Sequence, residues 1–146
     1  MIVMALLGGT ESDGDAAYLA LVKELGASRV RRLFLGYLPD PNERCRRLRL
    51  ELSGRWPDDI VTLVIGSNTK QEVNTLRQLG VFVCHQYGAL TDFYDQLDIK
   101  HHDLMVSEQA VKPSHVFSIV EAWSECYLRM QQRRRKMHIH KARMSA

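Results

Sequence analysis

With 146 residues, 45% hydrophobic and 25% charged, the chain suits one globular domain that buries its own core without disulfides or metal. These proportions exclude a disordered chain and a fibrous repeat, and the length argues against a second independent domain. The net charge of +3 is unevenly spread: of 20 Lys and Arg residues, seven fall between Arg129 and Ala146 with no acid among them, so the preceding body carries 13 against 17 acids, a charge of −4.

The run IVMALL, residues 2–7, is continuously apolar and reads as a strand covered on both faces, hence a central one. It is too short to cross a membrane, lacks a basic n-region and is followed by acids rather than a cleavage site, so the expected compartment is the reducing cytoplasm, with no membrane partner. Glycines follow, and Asp15 is expected to open a helix in which Ala17, Leu21 and Leu25 recur at four-residue spacing and Gly26 supplies the stop. RVRRLFLGYL, residues 29–38, suits a second strand ending near Gly36. Asp40 and Pro41 make a cap and first-position pair for a helix with Cys45, Leu48 and Leu52 on one face and Arg44, Arg47 and Glu51 on another. DIVTLVIGS, residues 59–67, is the strongest strand signal. A helix with Val73, Leu76 and Leu79 inward and Gly80 at its end leads to a fourth strand, VFVCHQY, residues 81–87.

Residues 88–113 read as loop with room for one short helix. Pro113 and Ser114 then introduce a long amphipathic helix whose buried stripe is Val116, Ile119, Val120, Trp123, Tyr127 and Met130, and which runs out into the arginines. Alternating strands and helices imply an α/β three-layer sandwich with a mostly parallel sheet, organised as a body over residues 1–130 and a basic tail over residues 131–146. Ligands of such sheets bind beyond the carboxyl ends of the strands, where the Gly8–Gly14 loop lies.

Gly9 and Gly14 stand at the glycine positions of a G-x-x-x-x-G-K-[ST] phosphate loop, with Asp15 in place of the lysine and Ala16 in place of the hydroxyl. Gly9, Thr10, Ser12, Gly14, Asp15 and Ala16 are therefore the candidate nucleotide-binding residues, acting through backbone N–H groups and a helix N-terminus. Glu11, Asp13 and Asp15 oppose a polyanion there; two charges at about 4 Å repel by roughly 1 kcal/mol in water and roughly 4 at an effective dielectric of 20. The same residues also read as a polar turn whose glycines permit positive φ and whose Asp13 or Asp15 caps the helix.

VIGSNTKQEVNTLRQLG, residues 64–80, resembles the segment of phage and bacterial deoxynucleoside monophosphate kinases that runs from a buried strand through Asp-Val-Arg-x-x-Asn-Glu into a helix ending in Leu-Gly. Gly66 takes the Asp position, Asn68 the Arg position and Gln71 the Asn position, while Glu72, Leu76, Arg77, Leu79 and Gly80 agree. Ser107 and Glu108 are similar to a later His-containing Ser-Glu stretch of that family, and the resemblance spans residues 2 to about 128. It implies a P-loop kinase-like fold, a phage or prophage origin, ATP and magnesium as weakly held cofactors, and Asn68 and Glu72 as substrate-side candidates, to which the arginines of the second segment add Arg44 and Arg47. It supplies no catalytic residues, because Asp15, Ala16, Gly66 and Asn68 all depart from the pattern at charged or ligating positions. Phosphoryl transfer rests on positioning and charge neutralisation, so the expectation is a pseudoenzyme kept as a nucleotide- or protein-binding module. The alternatives are an active deoxynucleotide kinase that recruits Arg44 or Arg47, and a small α/β interaction protein whose basic tail binds nucleic acid non-specifically.

Arg29, Arg31, Arg32, Arg44, Arg46, Arg47 and Arg49 form a set able to contact phosphates or serve as a solvated face. Cys45, Cys84 and Cys126 are expected to be buried, inert thiols. No metal site is expected: His101 and His102 are adjacent, and Asp98 and Asp103 would complete a site only by accident of folding. Cys84 and His85 should face opposite ways on their strand. Tyr87, Phe93, Tyr94 and Trp123 are read as core or cleft lining.

Overall fold

IVMALL forms strand β1 (Ile2–Leu7) and lies at the centre of a five-stranded parallel sheet. The computed structural model describes residues 1–88 and 99–145. Strands β2 (Val30–Phe34), β3 (Val61–Ile65), β4 (Phe82–Gln86) and β5 (Leu104–Val106) complete the order β2-β3-β1-β4-β5. Parallel neighbours need long crossovers, and helices α1 (Glu11–Leu25), α2 (Pro41–Leu52) and α3 (Lys70–Gln78) supply them for β2, β3 and β4, while α4 (Ile119–Ser145) follows β5.

The period-two alternation of β1 explains the layers. Ile2, Met4 and Leu6 point to the side where Ala17 and Leu21 of α1 meet Ile119, Ala122 and Cys126 of α4. Ala5 and Leu7 point to the other side, against Leu48 of α2 and Val73 and Leu76 of α3. Both faces are covered, so no position in the strand favours a polar residue. Each fully buried Leu, Ile or Met contributes about 1.5–3 kcal/mol, which places the main stabilisation in this three-layer contact. The outcome is the α/β sandwich that the alternation of elements implies, with every observed strand pairing parallel.

Several boundaries differ from expectation. Helix α1 starts at Glu11 rather than Asp15, because Thr10 caps it. Its Oγ1 accepts from the Asp13 N–H at 3.2 Å and the Asp13 carboxylate accepts from the Thr10 N–H at 2.8 Å, a reciprocal capping box. Helix α4 starts at Ile119, five residues beyond Ser114. There Ser118 and Glu121 exchange a second reciprocal pair, and Glu108 accepts from the Ile119 N–H at 2.6 Å. Ala122 and Cys126 are buried in α4 while Tyr127 is exposed, and Leu79 is the exposed cap of α3 rather than a core residue. Leu104–Val106 forms a strand within the stretch read as loop. As the sequence predicts, α4 does run out into the arginines, and residues 131–145 are an exposed helix.

Asp40 and Pro41 begin α2 as the sequence predicts, and Gly26 ends α1. All three cysteines are free and buried; contact with the Cys126 thiol and burial push the Cys84 thiol well up, which keeps it protonated and inert. Among the described residues no helix is long and apolar enough to cross a membrane.

Candidate functional site

The carboxyl ends of β1, β2 and β3 open into two adjoining cavities that share Gly8, Gly9, Phe34 and Gly66 in their walls. One, of about 340 Å³, is lined by Gly9, Thr10, Arg32, Phe34 and Ile65; the other, of about 410 Å³, by Gly9, Phe34, Gly36, Gly66 and Asn68. Phe34 is half exposed at the end of its strand. It lies so close to Gly66 that a Cβ there would stand 2.5 Å from a ring carbon, and the φ of +85° at Gly66 would strain any other residue. The aspartate expected at this position by resemblance to the kinases would therefore have to displace the ring.

The glycine loop is shorter than the sequence spacing implies. Gly8 and Gly9 turn the chain, Thr10 caps, and the helix has begun before Gly14 is reached. Gly14 is buried within α1, where a Cβ would stand 2.8 Å from a methyl of Ile65, so its lack of a side chain serves helix-to-sheet packing. The Thr10 N–H and hydroxyl are both hydrogen-bonded to the Asp13 carboxylate, at 2.8 and 3.1 Å. A negative side chain in the first turn already satisfies the helix dipole and an otherwise unpaired donor. Ser12 and Ala16 are exposed on the helix, and Asp15 is ion-paired with Arg32, whose guanidinium lies 5.3 Å from the Tyr18 ring centre.

The structure brings together three of the four substrate-side candidates. Arg44 donates Nε to the Leu38 carbonyl at 2.6 Å and Nη1 to Asn68 Oδ1 and Glu72 Oε1, each at 2.8 Å. Glu72 also accepts from the Thr69 hydroxyl at 2.9 Å, and both Arg44 and Glu72 are buried. This network ties the start of α3 to α2 and to the loop after β2, with Asn68 at its exposed edge lining the second cavity. Arg47 stands apart, exposed, 3.9 Å from Glu43. The remaining arginines of the set do not converge: Arg29 reaches the Asp59 carbonyl, Arg31 pairs with Glu51 beside Trp56, Arg46 pairs with Glu43, and Arg49 points to Thr75.

A second buried polar cluster was not singled out by sequence reasoning. The Asp103 carboxylate, fully buried, receives two hydrogen bonds from Arg77 at 2.9 and 2.7 Å, lies 2.8 Å from His85 Nε2, and accepts from the Lys100 N–H at 3.0 Å. Burial pushes its pKa up, but the hydrogen bonds from Arg77, His85 and Lys100, with the Arg77 charge, outweigh this and hold it well below the usual carboxylate range. His85 faces this cluster and Cys84 the opposite core, as their alternation requires.

Ser107 and Glu108 hold backbone: the Ser107 hydroxyl accepts from the Gln109 N–H and Glu108 caps α4. His101 and His102 meet edge to face with ring centres 5.3 Å apart, and among the described residues no group of three or more His, Cys, Asp or Glu is placed to hold a metal ion. Tyr87 sits edge-on to His115, and Trp123 packs beside the core against Tyr127. Phe93, Tyr94 and Asp98 lie outside the described residues. Comparison with family models, with curated proteins and with solved structures finds no match for the chain.

Proposed function

We propose that the chain is a P-loop kinase-like domain that binds a nucleoside or nucleotide base in the cleft around Phe34 and does not transfer phosphate. The observation that carries this reading is the Asp13 carboxylate bound to the Thr10 N–H and hydroxyl, which puts a resident anion where a phosphate would be cradled. A strand, a glycine turn and a helix on the central strand of a parallel sheet support the kinase-like part of the reading. The inactive part follows from chemistry. No lysine follows Gly14, and the guanidinium nearest the loop, Arg32, is held by Asp15. Arg44 spends its Nε and Nη1 donors on protein acceptors. Little positive charge remains to stabilise a transferring phosphoryl group.

An aromatic ring flanked by glycine backbone offers a flat apolar wall of the kind that takes a base, and each cavity lies in the range of small-ligand sites. The test of inactivity is transfer of the γ-phosphoryl of ATP to each deoxynucleoside monophosphate with magnesium present. The expected result is no transfer above the protein-free rate. Transfer that scales with protein and is lost in Asn68→Ala, an exposed cleft residue, would establish an active kinase instead.

A further inference from the structure

The opposite end of the sheet carries a different surface. A cavity of about 580 Å³ lies where α4 passes the amino ends of β4 and β5, and Arg77, Lys100, Arg129, Arg133 and Lys136 line it. Of the acids beside them, Asp103 is committed to Arg77 and His85, and Glu125 to Arg129. Lys100 and Lys136 have no acidic partner among the described residues.

Helix α4 then continues beyond the body. Its first projecting turn is fastened: Arg133 donates to the Gly80 carbonyl at 3.2 Å with its guanidinium 4.3 Å from the Phe82 ring centre, and Arg134 pairs with Asp58 at 3.1 Å. Past that point Arg135, Lys136, Lys141 and Arg143 stand exposed without an acid among the described residues to pair them. These four unpaired cations stand within nine residues of one helix, Arg135 and Lys136 adjacent and Lys141 and Arg143 two apart, a density of like charge that a polyanion would stabilise. Its apolar residues are few and separated: Met137 and Met144 share one side but lie two turns apart, and Ile139 falls on nearly the opposite side. A protein partner would require a contiguous apolar or aromatic centre.

We propose that this extension and the cationic cavity at its base bind B-form duplex DNA, the helix lying in the major groove and the cavity taking the flanking phosphates. A helix about 10–12 Å across fits a groove about 12 Å wide, and Arg135, Lys136 and Lys141, which point to three different sides of the helix, suit a channel with phosphates on both walls. The contacts are to the backbone, so the binding is non-specific in sequence and governed by counterion release. The inference is independent of the cleft at the carboxyl ends of the strands, and either can fail alone.

The test is fluorescence anisotropy of a labelled random-sequence duplex of about 20 base pairs, titrated with the full chain over a range of salt. Engagement of four or five phosphates predicts a slope of log K against log salt of about −4. The triple variant R135Q/K136Q/K141Q removes side chains that hold nothing in the body, so its thermal midpoint should match the parent while the slope becomes shallower by about 3 and affinity at low salt drops by more than about tenfold. No binding at low salt, a slope unchanged in the folded triple variant, or equal or tighter binding of polyglutamate or of single-stranded DNA would each overturn the proposal.

Discussion

Asp103 shows how much one side chain can organise. Its carboxylate is the shared acceptor for Arg77, His85 and the Lys100 N–H, on three separate segments. Removing one partner of a buried ion pair costs about 3–5 kcal/mol, and Asp103→Ala should destabilise the chain by that order in urea unfolding at neutral pH. The pH dependence follows from the lowered folded-state pKa. A carboxyl lowered by folding contributes stability that is complete above its unfolded value, about 3.9, and that is lost as pH falls through its lower folded value. The stability difference between the parent and Asp103→Ala should thus be full at pH 7 and shrink below about pH 4. A difference that stays constant down to pH 3 would mean that the charge of Asp103 is not what holds the cluster. Nothing local in the sequence marks this residue: the acceptor lies 26 positions from Arg77 and 18 from His85, and only the pairing of β4 with β5 brings them together.

At the scale of elements, the cap of α1 decides the chemistry of the cleft. Thr10 and Asp13 satisfy the capping-box spacing, yet Gly14 reads as an interruption and invites a later helix start. Tertiary packing settles the matter, because Gly14 lets α1 approach Ile65 of β3 closely enough to complete the core. Thr10→Ala should cost about 1 kcal/mol, within the 0.5–2 of lost caps, as a shift of the urea midpoint without a change in slope; no loss would show that the box does not hold the helix. Helix α4 starts later than Pro113 and Ser114 suggest for a related reason. Pro113 and Ser114 resemble a helix opening, but the reciprocal pair belongs to Ser118 and Glu121. Strand β5 escapes pattern reading because it is three residues long and supplies two buried side chains, Leu104 and Val106, too few for an alternation. By contrast β1, β3, α2 and the cap at Asp40 were legible, since each carries an uninterrupted apolar run or a cap with its period.

For the whole molecule, the fold class followed from alternation alone, while the cleft depended on loops that periodicity does not describe. Phe34 enters the site because β2 ends there and Gly36 and Gly66 make room for its ring, a juxtaposition across 32 residues of chain. The molecule separates two chemistries: a partly apolar cleft lined by Glu11 and Arg32, with the Asp13 carboxylate beside Gly9, at the carboxyl ends of the strands, and a cationic surface at the amino ends. On the proposed reading, each phosphate added to a ligand would meet the Glu11 and Asp13 carboxylates, and two charges at about 4 Å repel by on the order of 1 kcal/mol in water. A working phosphate loop would gain affinity with each phosphate instead.

The measurement that tests this most directly is the thermal unfolding midpoint with a deoxynucleoside, its monophosphate and its triphosphate, each with and without magnesium, for the parent and Phe34→Ala. A ligand at one hundred times its dissociation constant adds about 2.7 kcal/mol, a shift of several degrees for a chain of this size. The account predicts the largest shift with the nucleoside, the smallest with the triphosphate, no dependence on magnesium, and loss of all shifts in Phe34→Ala. A magnesium-dependent shift that is largest with the triphosphate and persists in Phe34→Ala would contradict it, and would mean that the glycine loop still cradles phosphate.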